Sequence, residues 1–89
     1  MLVQKSAPTV FTPLDDGTGV LLNLETLLYF SLNKTGVAIW QEIERSSNPT
    51  VDLIAKAICQ RFDIDEESAR QGIVTFVNKL SELKMIRVA

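Results

Sequence analysis

The side chains able to do chemistry are few and badly placed for it. The chain of 89 residues has no histidine and one cysteine, Cys59. Without an imidazole to take its proton or a second thiol to share a metal, that sulfur lacks what a nucleophile or a ligand needs. Its place in an apolar helical pattern makes it a packed thiol. Asp15 and Asp16 precede Gly17 and read as a turn, and Glu66 and Glu67 follow Asp65 and read as the first turn of a helix, where the dipole favours negative charge. There is no glycine-rich phosphate loop and no cluster with metal-ligand spacing. The expectation is a binding module without catalysis and without a cofactor.

Composition narrows the class further. With 46% hydrophobic and 22% charged residues, the chain suits one globular domain over 1–89, its ordered core expected at about 9–86. A net charge of −2 supplies no broad positive field, so nucleic acid is not favoured as a partner. No run reaches membrane-spanning length and no signal-peptide pattern opens the chain, so a cytoplasmic protein without membrane contact is expected.

Around Leu27 to Gly36 the sequence period changes from 2 to 3.6. Before it, Thr9 to Leu14 forms a strand in which Pro13 belongs at an end or an edge. Val20 to Leu24 forms a second, and Leu27 to Leu32 a third, with Glu25 and Thr26 at the reversal. A short loop sets Leu21 opposite Phe30 and Leu22 opposite Tyr29, which leaves apolar groups on both faces of the last strand. A small meander covers one face with its own helices, so the second apolar side points to something else packing there. Met1 to Ala7 shows no periodicity and is expected to fray.

Three helices follow. The first starts at Asn33 or Thr35 and buries Val37, Ile39, Trp40 and Ile43, and Ser46 to Pro49 ends it. Thr50 caps the second, whose apolar stripe is Leu53, Ile54, Ala57, Ile58 and Phe62. Asp65 caps the third, with Ile64 placed to meet Ala69 as a hydrophobic staple. The third helix, to about Lys84, has a core stripe of Ala69, Ile73, Phe76, Leu80 and Leu83, with Val77 at its margin and Val74 on a half-apolar flank beside Arg70 and Ser81. Met85, Ile86 and Val88 read as an extended tail against the core. The fold class is therefore α+β, a three-stranded antiparallel meander followed by three helices.

That order is also winged-helix-like, and a DNA-binding regulator is the alternative. Its recognition helix would be the third, whose first turn carries Asp63, Asp65, Glu66 and Glu67. Four carboxylates there oppose a phosphate backbone, and Arg70 alone does not offset them.

Tyr29-Phe30-Ser31-Leu32-Asn33-Lys34-Thr35-Gly36, then Ile39-Trp40, Thr50-Val51 with Ile54-Ala55, and Phe62-Asp63-Ile64-Asp65 before a last helix with Leu80 and Leu83, then Ile86, resemble the PqqD-like family. These are peptide-recognition elements of pathways that make and modify ribosomal peptides. The resemblance runs from about Val10 to Ile86 and departs at Leu27 and Lys84, where the family commonly has turn glycines. It implies a winged-helix-like fold that captures the leader of a precursor peptide as a fourth antiparallel strand, held by backbone hydrogen bonds with side-chain pockets for selection. Carried over by position, the strand edge would be Leu28, Tyr29, Phe30, Ser31 and Leu32, and the wall of the groove Arg70, Ile73, Val74 and Val77. The form of the motif looks more like leader-binding proteins of lasso-peptide clusters than like the PqqD of quinone-cofactor synthesis. The implied second partner is then a leader peptidase, whereas other systems use a radical SAM enzyme. Ordering a disordered leader costs roughly 2 to 5 kcal/mol, which implies high nanomolar to micromolar affinity. Without peptide, a monomer or a weak dimer through the third-strand edge is expected.

Overall fold

Asn33 decides where sheet ends and helix begins. Its side chain accepts a hydrogen bond from the Gly36 amide at 2.8 Å, satisfying a donor that the first helical turn leaves free. The computed structural model describes residues 3–46 and 49–88. Its elements in order are β1 (Val3–Lys5), β2 (Thr9–Pro13), β3 (Gly19–Asn23), β4 (Tyr29–Leu32), α1 (Lys34–Arg45), α2 (Val51–Phe62), α3 (Glu66–Glu82) and β5 (Ile86–Val88). The β2, β3 and β4 strands form the expected antiparallel meander, with Leu21 opposite Phe30 and Leu22 opposite Tyr29. Pro13 ends β2, paired with Gly19.

Thr50 and Asp65 cap α2 and α3 as the sequence indicates, each accepting from an amide three residues on. The end of α3 is also closed by hydrogen bonds. Lys84, at φ +59, donates to Ser81, and Met85 donates to Leu80, so two carbonyls of the last turn find partners. Part of the terminator expected for α1, Ser47 and Asn48, lies outside the described residues, as do Met1, Leu2 and Ala89.

The N-terminus differs from expectation. Val3–Lys5 does not fray: it pairs antiparallel with β5 in a second, two-stranded sheet, and Val3 is fully buried. No period could announce three residues of strand, because their stability comes from a partner more than eighty residues away in the chain and from the pocket that Val3 fills. Two stripes are also rotated. In α2, Leu53 is exposed and Val51, Ile54, Ala55 and Ile58 are buried. In α3, Val77 lies at the centre of the core while Phe76 and Leu83 are half-buried at its edge. A helical wheel fixes which residues share a face, and packing against α2 decides which face is inside.

Two buried polar groups tie the sheet to the end of α3, Thr9 by donating its hydroxyl to the Met85 carbonyl at 3.2 Å and Asn23 by a larger set of bonds. Asn23 accepts from the amides of Glu25 and Thr26 at 2.9 and 3.1 Å and donates to the Lys84 carbonyl at 2.8 Å. The same side chain shapes the β3–β4 loop and clips it to the end of α3, so the edge strand is held in a fixed relation to the last helix.

Candidate functional site

The site is an edge before it is a pocket. Among the described residues β4 pairs with β3 alone, so its other side offers unpaired backbone groups. The hydrogen-bond phase shows which groups. The Asn23 amide donates to the Leu28 carbonyl at 2.9 Å, so Leu28, Phe30 and Leu32 turn their backbone groups toward β3, and Tyr29 and Ser31 turn theirs outward. Side chains alternate in the perpendicular direction. Leu32 is buried and Phe30 half-buried on the core side, while Tyr29 is 70% exposed on the far face. Tyr29 there continues a row with Leu22 and Val10, which sit opposite one another across the three strands. That row accounts for the second apolar side that the sequence showed.

What α3 turns toward this strand is not the flank expected. Phe76 packs edge-on against Phe30, ring centroids 6.2 Å apart. Arg70 pairs instead with Asp52 in the first turn of α2, and Val74, about one helical turn further along, packs half-buried against the core. Ile73 and Val77 are 1% and 0% exposed, covered by the protein itself. The structure thus brings Leu28 to Leu32 together along one edge and does not bring Arg70, Val74 or Val77 to it. On the half-apolar flank that suggested a groove wall, Arg70 is tied to the start of α2.

The other flank of α3 is the one that borders the strand end. A hollow of about 220 Å³ opens between the starts of α1 and α3, lined among others by Ile39, Ile64, Ala69, Gly72, Ile73 and Phe76. Ile64 and Ala69, the expected staple, both face into it. Gly36 allows α1 to come this close, since a Cβ there would stand 3.3 Å from the Phe76 ring. Gly72 is different: a Cβ would meet nothing within 4 Å. Phe76 and Asn33 also line the groove that continues past Ser31 and Leu32 to Leu14 and Thr18. The rim is acidic at one end, where Asp63, Asp65, Glu66 and Glu67 are all exposed. The Ser68 side chain and amide hold the Asp65 carboxyl below its ordinary pKa by hydrogen bonding to its charged form. No group of three or more metal-ligating side chains occurs among the described residues.

Gly72 has no place in the groove wall expected from the sequence, and Phe76 falls there in the core stripe. A glycine in the middle of an otherwise good helix former was the available signal for the first. For Phe76 there was none, because a ring at the margin of a core and a ring at the mouth of a groove have the same place on the wheel.

Comparison with known proteins bears directly on this arrangement. The family model for Coenzyme PQQ synthesis protein D (PqqD) matches residues 18–86. The chain belongs to the PqqD family. Among solved structures it is similar to TbiB1 in complex with the TbiA(beta) leader peptide, with TM-score 0.86 and 26% identity, over 97% of this chain and 96% of that one. The lasso peptide synthetase B1 complexed with the leader peptide superposes with TM-score 0.79 at 21% identity, over 97% and 98%, which shows the shared fold. No curated protein sequence matches.

Proposed function

We propose that this chain binds the leader segment of a ribosomally made precursor peptide by adding it as an antiparallel strand along the open edge of β4, and presents it to a maturation enzyme. The observation that carries the reading is the outward phase of the Tyr29 and Ser31 backbone beside a groove floored by Phe30 and Phe76. Strand addition needs an unpaired edge for affinity and side-chain hollows for selection, and both are present here. The similarity to TbiB1, solved with a leader peptide, supports the same class of ligand.

Leu28 to Leu32 supply the edge in this reading. Of the residues expected on α3, Ile73 contributes the floor of the hollow, and Gly72 and Phe76 take the place of Arg70, Val74 and Val77 as wall. The role is that of a non-catalytic carrier, with a leader peptidase of lasso type favoured over a radical SAM enzyme as the protein that receives the peptide. Release matters to a carrier, which suits the moderate affinity that leader ordering implies. No helix among the described residues is long and apolar enough to cross a membrane. The four exposed carboxylates at the start of α3 oppose the DNA-binding alternative.

Amide hydrogen exchange tests the phase. Saturation with a synthetic peptide of the leader encoded beside this chain's gene should slow exchange at Tyr29 and Ser31, while Phe30 and Leu32 are already protected by β3. Unchanged exchange at Tyr29 and Ser31 under saturation would rule out addition at this edge.

A further inference from the structure

The β3–β4 loop is built from the wrong residues for a loop. Leu24, Glu25, Thr26 and Leu27 connect Asn23 to Leu28, closed by the Leu27 amide donating to the Asn23 carbonyl at 2.7 Å. The last of the four, Leu27, takes φ +62, the left-handed conformation that glycine and asparagine adopt readily and leucine does not. Its side chain is also 72% exposed, and Leu24 in the same loop and Leu28 next in the chain are exposed as well. Backbone strain and solvation both oppose leucine at this position, and no contact among the described residues compensates for either. Strain that the fold does not need is where a functional reason should be sought.

The tip stands at one end of the open β4 edge. A strand added antiparallel to β4 starts beside Leu32, passes Ser31 and Tyr29, and leaves past Leu28 and Leu27. We infer that Leu27, with Leu24 and Leu28, forms an apolar docking site for a side chain of the bound peptide just C-terminal to its strand-paired segment. The inference rests on the strand-addition reading and extends it by a contact outside the groove. The occupant follows from continuity: the backbone that pairs with Tyr29 is already in place, so its next residues meet the loop without further loss of chain freedom. A large apolar residue there removes from water the leucine surface that the free protein exposes.

Leu27→Gly and Leu27→Asn test this, because both relieve the strained φ and neither touches β4 pairing. Calorimetric titration with the synthetic leader peptide should show a five- to tenfold loss of affinity for both variants, while their unfolding temperatures stay equal or rise. A leader in which the apolar residue beyond the paired segment is replaced by serine should lose a similar factor on the unsubstituted protein and almost none on Leu27→Gly, the signature of a direct contact. Affinity within twofold of the parent for both variants overturns the proposal. So does a fall in self-association with unchanged peptide binding, which would assign the tip to a second copy of the chain. Absence of binding by the unsubstituted protein refutes strand addition itself and is distinguishable from either result.

Discussion

Replacing Gly72 by alanine is expected to make the protein more stable and the peptide site worse. Gly72 lies well inside α3, where glycine costs about 1 kcal/mol relative to alanine because the unfolded chain loses more freedom on ordering. A Cβ built there meets nothing within 4 Å, so no clash offsets the gain. For a domain of this length, about 1 kcal/mol raises the unfolding temperature by roughly 4–8 °C. The added methyl stands in the lining of the hollow beside Phe76 and Ile73. A peptide side chain seated there must shift, which should weaken binding about fivefold or more, comparable to displacing one buried methylene-sized group. Thermal unfolding by circular dichroism and titration with the leader peptide read the two effects separately. A stabilised variant that binds like the parent would refute use of the hollow, and a variant with no gain in stability would refute the helix argument.

Asn23→Ala removes three side-chain hydrogen bonds at the sheet–helix clip. The freed loop amides can turn to water, so a loss of about 2 kcal/mol is expected from chemical denaturation; a loss below about 0.5 kcal/mol would contradict the clip. Lys84→Gly should be neutral to stabilising, since the residue holds φ +59 while its side chain is exposed and its backbone carries the helix-closing bonds; clear destabilisation would count against that account. Asp65 caps α3 with its pKa held below the ordinary carboxylate range by hydrogen bonds from the Ser68 side chain and amide. A depressed folded pKa gives stability that is present above the unfolded value and lost as pH falls through the folded one. Acid titration of stability should therefore be flatter for Asp65→Asn below about pH 4, and an unchanged profile would show that the cap does not contribute.

The helices were legible because their starts are local. Asn33, Thr50 and Asp65 each announce a cap within three residues of chain, and the structure uses all three. Strand register was legible for the same reason, since a short loop fixes which residues oppose one another. Leu27 and Lys84, which depart from the family's glycines, do adopt the left-handed conformation glycine would have taken. What depended on distant partners was not legible. Val3–Lys5 is a strand only because Ile86–Val88 comes back to it. Arg70 looked like part of a free wall because a wheel does not say that Asp52 in the first turn of α2 pairs with it, nor that Val74 packs half-buried against the core. The open edge of β4 could thus be read from the chain, and which flank of α3 borders it required the packing of three helices.

The most direct test of leader capture is calorimetric titration of the protein and its Ser31→Pro variant with the synthetic leader peptide. The Ser31 amide points to the open side of β4, so proline there leaves the β3 ladder intact and the domain folded, while it removes an edge donor and places its ring toward the incoming strand. One backbone hydrogen bond of about 1 kcal/mol together with the ring's steric conflict corresponds to a loss of at least about tenfold. Submicromolar to micromolar binding is expected of the parent, and a loss of that size or complete loss in a folded variant. Equal affinity of the two proteins for the same peptide would contradict strand addition at β4.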